Sequence, residues 1–153
     1  MQNLSRRHYN RPILGSGRGL LAGLAVLVAG CGAFGPELAL PNGAVPMAPR
    51  PEYAEWFART EHCSSLRGSP QAIQWYVVPE AETFETAEGA KVGMWEKSGG
   101  VSRIIIAGRY LGHEMVVRHE ILHHLLDREG HPSEFFTDRC RLTWESWNQL
   151  VNR

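Results

Sequence analysis

Apolar residues recur at helical spacing in three stretches of the chain, which predicts three helices. The stretches are residues 52–60, residues 115–128 and a last one within residues 141–151. The second stretch contains neither glycine nor proline, and Gly130 supplies its C-terminal stop, with Pro132 just beyond. In the third, Trp144 and Trp147 are spaced to pack inward.

Runs of β-branched and aromatic residues predict strands at residues 73–79, 90–97 and 101–108. The last two runs flank Gly99 and Gly100, a sequence that favours a tight hairpin turn. The acidic stretch at residues 80–90 is interpreted as a loop or a short helix. The order of elements predicts an α+β domain, in which a small sheet packs on the central helix and further helices lie N- and C-terminal to it.

The first thirty residues have the pattern of an export signal. Arginines precede an uncharged apolar run of about 12 residues, too short to cross a bilayer as a helix of ~20 residues. The run ends in Val-Ala-Gly-Cys, which resembles the lipobox of bacterial lipoproteins, a family in which the cysteine, here Cys31, carries the lipid. A chance cysteine after an ordinary signal is the alternative.

Three regions follow from this interpretation: a signal at residues 1–30, a lipidated cysteine and flexible tether at residues 31–51, and one domain at residues 52–153. The tether is rich in proline, glycine and alanine. We therefore expect a protein of the bacterial cell envelope, anchored to a membrane through its lipid.

Charge changes when the signal is removed. The whole chain has 16 basic and 16 acidic residues. Four arginines precede Cys31, so the chain without its signal would have 12 basic and 16 acidic residues. No basic patch indicates a nucleic acid partner. We expect a monomer.

Cys63 and Cys140 remain as a pair in a protein that we expect to be exported, where disulfides persist. We predict that they form a disulfide. Two free buried thiols, or Cys140 as a metal ligand, are the alternatives.

Four of the seven histidines lie within residues 116–132, and two of them form the string His-Glu-Ile-Leu-His. His119 and His123 lie one turn apart on the same face of the predicted helix. Two imidazoles so placed can bind one zinc ion at ~2.0–2.1 Å. Glu120, one residue round the helix, can take a proton from a water molecule that the metal activates.

This stretch resembles the active-site helix of the zincin metallopeptidases. The wider pattern H-E-x-L-H-x-L-L-x-x-x-G-H-P, with a lipobox and a cysteine on each side, looks like a group of small predicted bacterial zinc-protease lipoproteins. The resemblance implies one Zn²⁺ per chain and a peptide or protein substrate outside the cytoplasm. It also implies that residues 104–108 form a sheet edge that receives the substrate; a central strand, buried on both faces, is the alternative.

A catalytic zinc site has three protein ligands and one open position, and the third ligand is the open question. In metzincins it is a histidine six residues after the second, but here that position is Glu129. We favour His131, which follows Gly130. Glu129 is the next candidate, followed by Glu134, Asp138 and Asp127. The methionine turn of metzincins is absent, because no methionine follows His131.

Nearby polar residues receive secondary roles. His124 points about 100° away from His123 on the helix, so we interpret it as a bystander. Tyr110 is a candidate donor to a developing oxyanion. Asp127 is expected to pair with Arg128 or Arg118, or to accept a hydrogen bond from a ligand histidine.

The function that the sequence favours is a zinc-dependent peptidase with Glu120 as general base. A lipoprotein that binds zinc without catalysis, using the same ligands, is one alternative. A zinc amidase that acts on a cell-wall amide is another, since the same chemistry would serve it.

Overall fold

The structure is a computed structural model in which residues 39–151 are described, the side chains of residues 150 and 151 excepted. The predicted signal, Cys31 and the first part of the predicted tether lie outside these residues. Among the helices of the described part, none is both long and apolar enough to cross a membrane.

The architecture is α+β, as predicted. In chain order the regular elements are β1 (Val45–Pro46), α1 (Glu52–Ser64), β2 (Ile73–Val78), β3 (Phe84–Thr86), β4 (Gly89–Lys91), β5 (Gly93–Ser98), β6 (Val101–Ala107), α2 (Glu114–Leu126) and α3 (Trp144–Val151). One sheet has the order β1-β2-β6-β5, and β3 pairs with β4 in a separate small sheet. The predicted helices and strands are thus confirmed in type, with shifted ends.

β6 lies inside the main sheet, parallel to β2 and antiparallel to β5. Ile104, Ile105 and Ile106 are fully buried there, because both faces of the strand are covered. The interpretation of residues 104–108 as a substrate-receiving edge is therefore wrong, and the alternative of a central strand is confirmed. β5 forms the edge on this side of the sheet.

The predicted hairpin joins β5 to β6. Gly99 and Gly100 have φ angles of 57° and 83°, a left-handed conformation that glycine adopts at little cost. The hairpin sets Trp95 opposite Ile104. One face of this pair belongs to the core that α1 and α2 cover, together with Phe57, Val117 and Ile121.

Three sequence-based predictions about local structure are wrong. Residues 80–90 contain β3 and the start of β4 rather than a loop or a short helix. Residues 45–46, which we assigned to the tether, pair with β2 as β1. Trp144 is 48% exposed instead of packing inward, whereas Trp147 does pack against the core.

α2 ends earlier than predicted. Its last residue is Leu126, and Asp127 closes it in the left-handed conformation, with φ 51° and ψ 42°. Asp127 therefore acts as the helix stop that we assigned to Gly130. Aspartate tolerates this conformation better than most residues, although the sequence gives glycine the stronger signal.

Residues 131–142, here called the return segment, bring the chain back across the end of α2. A π-helical turn at Glu134–Arg139 forms its centre. The predicted disulfide is confirmed: Cys140 is bonded to Cys63 in the last turn of α1, across a sequence separation of 77 residues. The bond excludes Cys140 as a metal ligand.

Candidate metal centre

Two histidines of α2 face the return segment. His119 and His123 are one turn apart, and their Nε2 atoms are 3.3 Å from each other. The helix alone sets this pairing, since side chains four residues apart lie one above the other.

The return segment brings His131 to the same point. Its Nε2 atom lies 3.0 Å from that of His119 and 3.1 Å from that of His123. His119, His123 and His131 thus form a group whose geometry can hold a metal ion. None of the other four candidate ligands, Glu129, Glu134, Asp138 and Asp127, belongs to this group.

Hydrogen bonds fix which nitrogen of each α2 histidine faces the group. Nδ1 of His119 lies 2.7 Å from the carbonyl oxygen of Leu142, and Nδ1 of His123 lies 2.8 Å from that of Arg128. A carbonyl oxygen only accepts, so both Nδ1 atoms carry the proton. Both Nε2 atoms then present a lone pair to the centre of the group.

This arrangement fits a tetrahedral metal ion. Ligand nitrogens at ~2.0–2.1 Å in tetrahedral geometry are about 3.3 Å from one another, close to the three separations observed here. Lone pairs facing each other at such distances repel unless a cation lies between them. Metal-binding histidines usually donate their second ring N–H to such an acceptor, which orients the imidazole.

Burial keeps the imidazoles in the form that binds metal. It lowers the pKa of His119 to about 4, although the hydrogen bond to the Leu142 carbonyl opposes this. Burial likewise lowers the pKa of His123 to about 4 against the opposing bond to Arg128, and it lowers the pKa of His131. All three are therefore neutral near pH 7, as metal ligation requires.

Aromatic rings surround the three histidines. The Phe136 ring is fully buried and lies 4.7–4.8 Å from each of the three imidazole centroids. On the other side, Trp95 lies nearly parallel to His123, with centroids 6.2 Å apart and 13° between the planes. These rings cover the buried side of the group and lower the local dielectric there, while His131 stays exposed to the solvent.

Glu120 is buried beside the group but is not part of it. Burial raises its pKa to about 8, while the main-chain N–H of Trp95 and the charge of Lys91 act in the opposite direction. A side chain at Gly93 would place its first carbon 2.7 Å from a carboxylate oxygen of Glu120. Gly93 therefore leaves the space that this carboxyl group occupies.

A cleft of about 990 Å³ opens in front of these residues. Its walls are the edge of β5, the β3–β4 hairpin, residues 39–42, one side of α2 and parts of the chain near both ends of the return segment. All three histidines and Glu120 face it, together with Glu129 and the exposed ring of Trp144.

The secondary roles assigned from the sequence mostly differ from what is found. Asp127 forms an ion pair with Lys97 at 2.7 Å, so the expected pairings with arginine or a ligand histidine are wrong. Tyr110 does not line the cleft; its ring lies against those of His113 and Trp144. His124 stays outside the three-histidine group, as predicted, and is hydrogen-bonded to Ser102.

Sequence reasoning did not identify the residues that orient the histidines. The carbonyl oxygens of Leu142 and Arg128 have no side-chain signature, so no pattern could reveal them. Phe136 and Trp95 were visible only as apolar residues. Gly93 carried a weak signal, since an isolated glycine in a strand often marks a close approach.

Comparison of the chain with family models, with curated proteins and with solved structures gives no significant match.

Proposed function

We propose that this protein is a zinc-dependent peptidase with a zincin-like fold. The observation that carries the proposal is the convergence of three Nε2 atoms beside the buried carboxyl group of Glu120, at the floor of an open cleft. The metal ligands would be His119, His123 and His131. The antiparallel edge strand beside α2 supports the same class of fold.

The ligand set favours zinc over other common ions. Imidazole suits zinc, and three protein ligands with one open position are typical of catalytic zinc. When bound, such an ion supplies Lewis acidity that polarises a carbonyl oxygen and lowers the pKa of a water molecule towards ~7.

Glu120 would act as the general base. It follows His119 directly, so its carboxyl group lies beside the ligands without belonging to them. A cation in the site would favour its charged form and so lower its raised pKa. As a carboxylate it accepts a proton from the attacking water and then passes it to the leaving amine.

The edge of β5 would hold the substrate. The main-chain N–H of Ala107 donates to the carbonyl of Val92, which makes Gly93 and Ile106 a pair that is not hydrogen-bonded. By the alternation of an antiparallel ladder, the main-chain groups of Gly93 and Trp95 are directed away from β6. The N–H of Trp95 is bonded to Glu120, so the main-chain groups of Gly93 and the carbonyl of Trp95 are the ones offered at the edge. An extended peptide can add to such an edge as a further strand.

The substrate class follows from the same geometry and from the proposed location. A peptide or protein outside the cytoplasm fits an open cleft with a strand edge, and a lipid on Cys31 would hold the enzyme at a membrane of the cell envelope.

The variant Glu120→Gln tests the proposal. It should keep about one zinc per chain and lose peptide cleavage by at least ~100-fold, because a general base contributes 10²–10⁴-fold. Zinc content by elemental analysis and cleavage of a mixed peptide library are the measurements. Glu129→Gln, which changes an exposed carboxylate of the same cleft, is the matched control and should cleave like wild type.

The outcomes separate the proposed function from its rivals. If the wild-type chain, purified without chelators, contained no metal, the proposed metal centre would be refuted. A zinc-loaded wild type that cleaves no peptide and no cell-wall amide would instead favour a binding protein. Cleavage of cell-wall amides without peptides would make the enzyme an amidase with the same zinc chemistry.

A further inference from the structure

His124 follows the proposed ligand His123 directly in the sequence, but its hydrogen-bond partners lie outside the cleft. Its Nδ1 atom lies 2.8 Å from the hydroxyl oxygen of Ser102 on β6. A hydrogen bond to the main chain of Ser69 raises the pKa of the His124 ring against the effect of burial, which makes the ring the donor and, with Nδ1 at Ser102, places the proton on Nε2. Nδ1 is therefore an acceptor, and the Ser102 hydroxyl must donate to it.

Ser102 has a second hydrogen-bond partner, which can only be a donor. The indole Nε1–H of Trp95 donates to the same hydroxyl oxygen over 3.1 Å, and an indole nitrogen only donates. The direction of every bond is thus determined, from Trp95 to Ser102, from Ser102 to His124 and from His124 to Ser69. Ser102 is 7% exposed, so water cannot readily replace either partner.

The hydrogen-bond chain ends at Trp95, whose ring faces the His123 imidazole. Trp95 and Ser102 are diagonal neighbours on one sheet face, because Trp95 is paired with Ile104 and Lys97 with Ser102. The ring that Ser102 holds lies nearly parallel to the imidazole of His123. The main-chain N–H of the same tryptophan donates to the carboxyl group of Glu120.

We propose that His124, Ser102 and Trp95 are positioning residues: their directed hydrogen-bond chain holds the Trp95 ring beside the His123 imidazole, and the main chain of Trp95 holds the Glu120 carboxyl group. The proposal rests on the proposed function for the roles of His123 and Glu120. Glu120 and His124 are four residues apart on α2, so Trp95 is attached to the same helix face at two points one turn apart. A rotation of its ring would disturb the surroundings of the His123 imidazole, whereas the main-chain bond to Glu120 would remain.

The histidine tautomers give the first test and need no metal. Nitrogen-15 NMR of the full-length chain should find His124 protonated on Nε2, and His119 and His123 on Nδ1. In Ser102→Ala, Nε2 should stay protonated because the bond to Ser69 remains, while the Nδ1 resonance of His124 should shift because Nδ1 loses its donor. Finding His124 protonated on Nδ1 in the wild type would overturn the proposal, because Ser102 could not then donate to it.

Cobalt binding gives the second test. Co²⁺ titration, followed by visible absorption, should show about a tenfold weaker affinity and an altered spectrum for Ser102→Ala, since partners behind metal ligands change affinity by 10–100-fold. Ser102→Thr keeps the hydroxyl and should restore both readouts. On a cleavable peptide, Ser102→Ala should lower kcat and leave KM unchanged.

Ser64→Ala is the matched control. It also removes a buried serine hydroxyl, but Ser64 bonds within the end of α1, to the carbonyl of Thr60. Equal losses in Ser64→Ala and Ser102→Ala, or wild-type cobalt binding by Ser102→Ala, would overturn the proposal. A wild type with the expected tautomers that binds no cobalt would instead refute the metal centre, and with it the roles assigned here.

Discussion

The two parts of the candidate metal centre are held by different kinds of structure. α2 supplies His119 and His123 from neighbouring turns, so their spacing is a property of any regular helix. The return segment supplies His131 from an irregular stretch with a π-helical turn. Local geometry therefore fixes two ligands, whereas tertiary bonds must fix the third.

Three kinds of bond hold the return segment. Within it, the N–H groups of Phe135 and Phe136 donate to the Pro132 carbonyl, and that of Leu142 donates to Phe136. Outside it, the disulfide and the guanidinium of Arg139 attach it to the end of α1, and the Leu142 carbonyl accepts a hydrogen bond from His119 of α2. A site built in this way responds to changes far from its ligands.

Removing a ligand has the largest expected effect. His123→Ala should weaken zinc binding by more than about 100-fold, because ~10–16 kcal/mol of binding free energy is shared among about four ligand positions. His131→Ala should cost nearly as much, although the exposed position admits a replacing water molecule more easily. Competition with a chromophoric chelator measures both, with the exposed His62→Ala as control.

Zinc titration of a further variant can test whether the return segment, rather than a neighbouring residue, supplies the third ligand. If Glu129→Ala weakens zinc binding and His131→Ala does not, His131 is not the third ligand, and the return segment supplies only the Leu142 carbonyl that orients His119.

Removing the disulfide should have the next largest effect. A bridge across 77 residues contributes about 4.5 kcal/mol to the free energy of unfolding by the chain-entropy model. The double variant Cys63→Ala, Cys140→Ala should lose most of this in urea unfolding. It should also bind zinc about tenfold more weakly, because the return segment positions His131 and the Leu142 carbonyl.

Zinc affinity that stays at the wild-type level in the folded double variant would contradict this coupling. The internal hydrogen bonds of the return segment would then suffice to hold it.

The smallest effect concerns Arg139. Its guanidinium donates to the main-chain carbonyl of Ser64 at 3.0 Å and lies 5.6 Å from the centre of the Phe135 ring. Because the side chain is 39% exposed, Arg139→Ala should lower the free energy of unfolding by about 0.5–1 kcal/mol. Zinc affinity should fall slightly in the same titration.

Arg59→Ala is the control for Arg139, since Arg59 is 51% exposed and pairs with Glu55 and Glu114, away from the return segment. A loss of zinc affinity in Arg139→Ala as large as that of the disulfide variant would show that the two attachments are equivalent.

The parts of the centre that the sequence predicts are the local ones. Helical periodicity and the spacing of His119, Glu120 and His123 follow from a repeat that depends on neighbouring residues alone. The Cys63–Cys140 pair was predictable because few cysteines remain in a chain that we expect to be exported. The α+β class follows from the order of elements in the same way.

The parts that the sequence does not predict depend on contacts between distant residues. Whether residues 104–108 form an edge or a central strand is decided by which strands pair with them, and an apolar run fits either case. The end of α2 at Asp127 depends on a conformation that aspartate adopts less often than glycine. The path of the return segment depends on bonds to α1, so no spacing rule could choose among the candidate third ligands with certainty.

The carbonyl of Leu142 has a consequence for the order in which the site assembles. His119 and His123 can bind an ion as a pair as soon as this turn of α2 forms, and helices form within about a microsecond. The disulfide across 77 residues forms in seconds to hours, and it attaches the return segment that carries the carbonyl of Leu142 to α1. An ion present during folding would therefore meet a two-histidine chelate first, and the complete centre would be among the last parts of the molecule to form.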